Sequence, residues 1–103
     1  MAALLNNKKL CFIGCGNMGE ALISGLVGSE VARPENIICT DIREEKLERI
    51  ARDYGVRTGT DNIAAVGESE IIVYAVKPQI MAAVLKETAA VLDMSKLVIS
   101  IAA

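Results

Sequence analysis

The residues whose spacing could do chemistry are three glycines, Gly14, Gly16 and Gly19, in the run IGCGNMG. Backbone at G-x-G-x-x-G spacing can approach a pyrophosphate closely, and a helix opening at the third glycine adds the partial positive charge of its N-terminus. Gly14 permits the tight turn, Gly16 the close approach, and Gly19 the packing of helix on strand. About 20 residues further on, where this pattern expects a ribose ligand, stands Asp41. Its carboxylate would bond a ribose 2′-hydroxyl, which favours NAD(H). Arg43 would reach a 2′-phosphate, which favours NADP(H), or is a solvated residue in a first helical turn. The residues leave both cofactors open.

Lys77-Pro78 follows a strand-like run, at the carboxyl edge where doubly wound sheets bind ligands. Pro78 also suits the first position of a helix, and Lys77 reads equally as a surface lysine. Cys15 lies inside the glycine loop, but the chain has no histidine to activate it as a nucleophile. Cys11 and Cys39 read as small apolar strand residues. Three cysteines without C-x-x-C spacing argue against a disulfide framework or a zinc site and point to reducing cytosol. No metal site and no catalytic residue stand out.

The elements that must position these residues follow from pattern. Leu10 to Ile13 is a short apolar run suited to a strand buried on both faces. From Asn17 to Val27, Met18, Ala21, Leu22 and Leu26, with Ile23 and Val27, recur at helical spacing until Gly28. Gly25 inside this helix costs about 1 kcal/mol against Ala and is read as close packing on the sheet. Residues 37–40 form a second strand ending at Asp41. Residues 43–54 form the clearest helix, with Leu47, Ile50, Ala51 and Tyr54 on one face, Glu45–Arg49 and Glu48–Arg52 paired on the other, and Gly55 as the stop. A short third strand at 56–58, a helix from 60–62 to Val66, a strand at 71–76, a helix from Pro78 to Leu92 and a strand at 97–101 complete the order. Strands alternating with helices predict an α/β, Rossmann-type doubly wound parallel sheet, strand order 3-2-1-4-5, in a single domain.

Composition narrows the function classes. The chain has 103 residues, 52% apolar and only 3% aromatic, with a formal net charge of −2. One aliphatic core is feasible and a disordered chain is excluded. No basic footprint or set of stacking aromatics points to nucleic acid. No run approaches the ~20 apolar residues of a membrane span, and no signal peptide is legible. Cytoplasmic localisation is the default expectation. The chain stops right after its fifth strand, which reads as the N-terminal domain of a longer protein.

FIGCGNMGEALISGL, TDN at 60–62, AVKPQ at 75–79 and VISIAA at 98–103 together resemble pyrroline-5-carboxylate reductases, from about Lys9 to Ala103. The resemblance implies an NAD(P)H-dependent oxidoreductase that reduces L-1-pyrroline-5-carboxylate to L-proline, the last step of proline biosynthesis. It assigns the pyrophosphate to Ile13, Gly14, Cys15, Gly16, Asn17, Met18 and Gly19, and the adenosine ribose side to Asn62. It assigns the nicotinamide–ribose end to Ala75, Val76, Lys77 and Pro78, and the nicotinamide flank to Ile101, Ala102 and Ala103. Where many bacterial members end the second strand with Asn-Arg or Ser-Arg, this chain has Asp41-Ile42, with the arginine displaced to Arg43. The resemblance also implies a second, all-helical domain, absent here, that makes a homo-oligomer and most of the substrate pocket; this chain would then be an inactive cofactor half. Rival readings are an F420-dependent NADP reductase, a β-hydroxyacid dehydrogenase relative, or a dinucleotide-binding module without chemistry.

Overall fold

Alternation along the central strand decides how the layers pack. In the computed structural model, which describes Leu5 and residues 7–101, β1 (Leu10–Ile13) sends Leu10 and Phe12 to one face and Cys11 and Ile13 to the other. All four are buried, as a period-two strand covered on both sides must be. β1 pairs in parallel with β2 (Ile37–Thr40) and with β4 (Ile71–Tyr74), in register Phe12 to Cys39 and Phe12 to Val73. β3 (Arg57–Gly59) and β5 (Leu97–Ser100) add the outer strands, giving the order β3-β2-β1-β4-β5. The order is the one the alternating pattern predicts.

α1 (Asn17–Gly28) and α2 (Glu44–Tyr54) cover one face, where Ile23, Leu47 and Ile50 meet Phe12, Cys39 and Val73. α3 (Asn62–Glu68) and α4 (Pro78–Thr88) cover the other, with Val66 and Val84 against Ile13, Ile72 and Tyr74. Tyr74 is buried, and its hydroxyl shares a 2.6 Å hydrogen bond with Thr88 Oγ1, whose own proton can go to the Val84 carbonyl. Burying a tyrosine here therefore leaves no polar atom unpaired.

Several local expectations change. α1 is apolar around much of its circumference, so spacing alone did not choose its inner face: Gly19 and Ile23 are buried, whereas Met18 and Leu22 are exposed. Gly25 is exposed and a Cβ there would meet nothing within 4 Å, so close packing is not its reason. Arg49 pairs with Glu20 of α1 and with Asp53 instead of Glu45, because a carboxylate fixed on a neighbouring helix offers a bidentate partner. α2 starts one residue late, with Arg43 as its cap, and stops at Gly55, whose φ of +73° is left-handed. α4 ends at Thr88 and runs into a 3-10 turn over Ala89–Val91. β4 ends at Tyr74, so Ala75 and Val76 lie in the turn beyond it.

β5 is exposed along its length and Leu97, Val98 and Ile99 keep large apolar side chains in solvent, with Met94 beside them. Among the described residues, no helix is long and apolar enough to cross a membrane.

Candidate functional site

The glycine loop leaves β1 through a turn that only glycine fits. Gly14 has φ +94°, and a Cβ there would stand 2.7 Å from Val76 Cγ1 and 3.0 Å from the Ala75 carbonyl oxygen. Its N–H donates to the Thr40 carbonyl at 2.8 Å, which ties the start of the loop to the end of β2. Gly19 brings α1 down onto the sheet edge: an added Cβ would lie 3.1 Å from Ala75 Cβ. Gly16 is the N-cap of α1 and offers no side chain to its first turn, so the first-turn N–H groups have no side-chain cap from it.

These elements enclose a cleft of about 470 Å³ at the carboxyl ends of β1, β2 and β4. This is where the connections that follow β1 and β4 run to opposite sides of the sheet, the crevice in which open α/β sheets bind ligands. Ile13, Gly14, Cys15, Gly16 and Asn17 line it from the loop. Asp41, Arg43 and Asn62 line it on one flank, and Ala75, Val76 and Lys77 on the other. The structure thus brings together most of the residues singled out by sequence. Met18 is exposed on α1, Gly19 is buried beneath the helix, and Pro78 opens α4; none of these three lines the cleft, nor does Ile101, whose N–H donates to the Tyr74 carbonyl. Ala102 and Ala103 lie outside the described residues.

Sequence reasoning missed Thr40, Ile42, Lys46, Thr60, Ile80 and Val84, which also line the cleft. Ile42 and Ile80 carry a legible signal in retrospect: each follows the carboxyl end of a strand leading into the cleft. Lys46 carries none, since only the rotation of α2 turns it inward. The charged side chains around the cleft are Asp41, Arg43, Lys46 and Lys77, an excess of cations in a chain of net charge −2. Such a cleft favours an anion.

Asp41 is the most heavily bonded group in it. Oδ2 accepts from Cys15 N–H at 2.9 Å and from Arg43 Nη2 at 2.8 Å, while Oδ1 accepts from Arg43 N–H and Nε, each at 2.9 Å. Burial pushes this carboxyl up, but the Arg43 and Cys15 donors outweigh it and hold it well below the usual carboxylate range. Asn62, fixed in the first turn of α3 by the Asp61 cap, accepts from Thr40 Oγ1 at 2.5 Å and donates to Glu87 at 2.9 Å.

The structure also corrects the reading of the cysteines. Cys15 and Cys39 are joined in a disulfide with their Cα atoms 6.6 Å apart, within the span that a disulfide bridges. Register explains what spacing did not: Cys39 faces Phe12 on β1, and the turn at Gly14 folds Cys15 back toward it. Cys11, on the opposite face, is a free, buried thiol that burial pushes up to about 11.

Residues 9–103 match the family described as NADP oxidoreductase, coenzyme F420-dependent. The chain belongs to this family. It is 42% identical over 99 residues to a pyrroline-5-carboxylate reductase of Methanosarcina acetivorans, covering 96% of this chain and 37% of that one. It superposes on the pyrroline-5-carboxylate reductase of Coxiella burnetii with a TM-score of 0.87 at 33% identity, over 94% of this chain and 36% of that one. The Plasmodium falciparum pyrroline carboxylate reductase with NADP bound gives a TM-score of 0.80 at 32% identity, over 94% and 34%. The chain therefore spans little more than a third of the length of these relatives.

Proposed function

We propose that this chain is the NADP(H)- or NAD(H)-binding half of a pyrroline-5-carboxylate reductase. The observation that carries the reading is the cleft itself: a glycine loop and an uncapped helix start meet the AVKPQ turn at the point where strand connections diverge. The name shared by the relatives points to the same reaction.

The chain's own residues divide the binding. Gly14 N–H and Cys15 N–H already have partners within the fold, so the pyrophosphate falls to the first turn of α1, at Gly16 and Asn17. Arg43 and Lys46 border the adenosine end, and Ala75, Val76 and Lys77 the nicotinamide end. When bound, the cofactor would supply the hydride, and Ala75, Val76 and Lys77 would hold and orient its nicotinamide end. The exposed apolar edge at β5 is the surface to which the remainder of a longer polypeptide would attach, with the substrate pocket and the homo-oligomer contacts. A soluble cytoplasmic enzyme with no nucleic-acid or membrane partner accords with the charge and composition.

The test has two arms. NADPH or NADH at millimolar concentration should raise the melting temperature of this chain; no stabilisation by either would end the dinucleotide reading. The full-length polypeptide should oxidise NAD(P)H with 1-pyrroline-5-carboxylate, and this chain alone should not. The family description favours a second reading, hydride exchange between NADP and coenzyme F420. Turnover with the deazaflavin but not with the cyclic imine would select it.

A further inference from the structure

In dinucleotide-binding folds an acid at the end of the second strand ordinarily accepts the ribose hydroxyls. At Asp41 that capacity is already used. A carboxylate has about four lone-pair positions, and here four donors occupy them: Cys15 N–H and three from Arg43. The Asp41 side chain is only 7% exposed, whereas Arg43 is 56% exposed and borders the cleft. The fork on Asp41 uses Nε and Nη2, and Nη1 takes no part in it. Lys46 borders the same corner, 3.9 Å from Glu20, whose closer partner is Arg49 at 2.7 Å.

Resting on the dinucleotide reading above, we propose that Asp41 is a positioning residue that holds Arg43 at the adenosine end of the cleft. Arg43, with Lys46, then receives the 2′-phosphate of NADP(H) and selects it over NAD(H). A guanidinium locked by a bidentate partner has lost its rotamer freedom before the ligand arrives, so less is lost on binding. The negative charge of Asp41 does not repel the phosphate strongly, because its own fork partner neutralises it at 2.8 Å.

Equilibrium binding of NADPH and NADH to the chain and to two variants tests this. The parent should bind NADPH at least about tenfold more tightly than NADH, as a charge-assisted arginine–phosphate contact implies. Arg43→Gln, at an exposed position, should bring the two affinities within about threefold by weakening NADPH alone. Asp41→Asn should weaken NADPH several-fold and leave NADH within about twofold; in the Arg43→Gln background it should weaken neither nucleotide further, a coupling that a merely structural role would not produce. If Asp41→Asn weakens NADH about tenfold, or leaves NADPH unchanged or tighter, the acid is a ribose ligand or a bystander and the proposal falls. If the parent binds neither nucleotide, the dinucleotide reading falls with it. Far-ultraviolet circular dichroism confirms that each variant is folded before it is titrated.

Discussion

Replacing Gly14 and Gly16 separately by alanine divides fold from ligand. At Gly14 the substitution meets two obstacles at once. An L-residue in the left-handed half of backbone space costs about 1–2 kcal/mol. The new Cβ would also sit 2.7 Å from Val76 Cγ1 and 3.0 Å from the Ala75 carbonyl oxygen. Val76 can change rotamer, but the Ala75 backbone is held by its N–H donating to the Ile13 carbonyl at 2.8 Å, so relief requires the whole turn to shift. Overpacking of this kind adds about 1–3 kcal/mol. The sum is at least about 2 kcal/mol, and at roughly 4–8 °C per kcal/mol for a domain of this size the melting point should fall by at least about 8 °C. At Gly16 the backbone has φ −68° and ψ 177°, open to any residue, and the nearest atom to a new Cβ is the Ala75 oxygen at an ordinary 3.5 Å. Gly16→Ala should therefore change stability by less than about 1 kcal/mol, the scale of an N-cap preference. It should still weaken NADPH binding at least about tenfold, because the methyl occupies the approach of the pyrophosphate. Thermal melts and nucleotide titrations of both variants provide the readout. A Gly14→Ala protein that melts within 2 °C of the parent would refute the turn argument, and a Gly16→Ala protein with parental NADPH affinity would move the pyrophosphate elsewhere.

Three other outcomes are expected. Glu20 accepts from both Arg49 nitrogens and from Tyr54 Oη, so Glu20→Gln should cost about 1–2 kcal/mol at neutral pH after solvent screening. Those same donors lower the Glu20 carboxyl to about 2 from an ordinary 4.5, so its contribution is complete above the ordinary value and is lost as pH falls toward 2. Denaturant melts of parent and variant should converge there, and a gap that stays constant across that range would refute the assignment. Gly25→Ala, in an exposed helical position with open space, should stabilise the fold by up to about 1 kcal/mol; a lower melting point would restore the packing explanation. Alkylation of the unfolded, unreduced chain should label Cys11 alone, and all three cysteines after reduction. Three labels without reduction would remove the cross-link between loop and strand.

Much of the fold was legible because each element carries its own local signal. The apolar period of residues 10–13 and 37–40, the stop at Gly55 and the start at Pro78 are decided within a few residues of chain. The glycine spacing likewise located one wall of the cleft, since a close phosphate approach needs no information beyond the loop. The inner face of α1 was not legible, because apolar residues surround the helix and its rotation is set by tertiary contacts, Gly19 against Ala75 and Ile23 in the core.

By itself, then, the sequence determined the order of elements, the parallel sheet and the place of the glycine loop, all properties of short-range pattern and connection rules. The tertiary structure alone decided which atoms meet across it. It turned Lys46 toward the cleft, sent Arg49 to another helix and set Cys15 against Cys39. Pairings of this kind depend on strand register and helix rotation, which place residues far apart in the chain within bonding distance and leave no trace in their spacing.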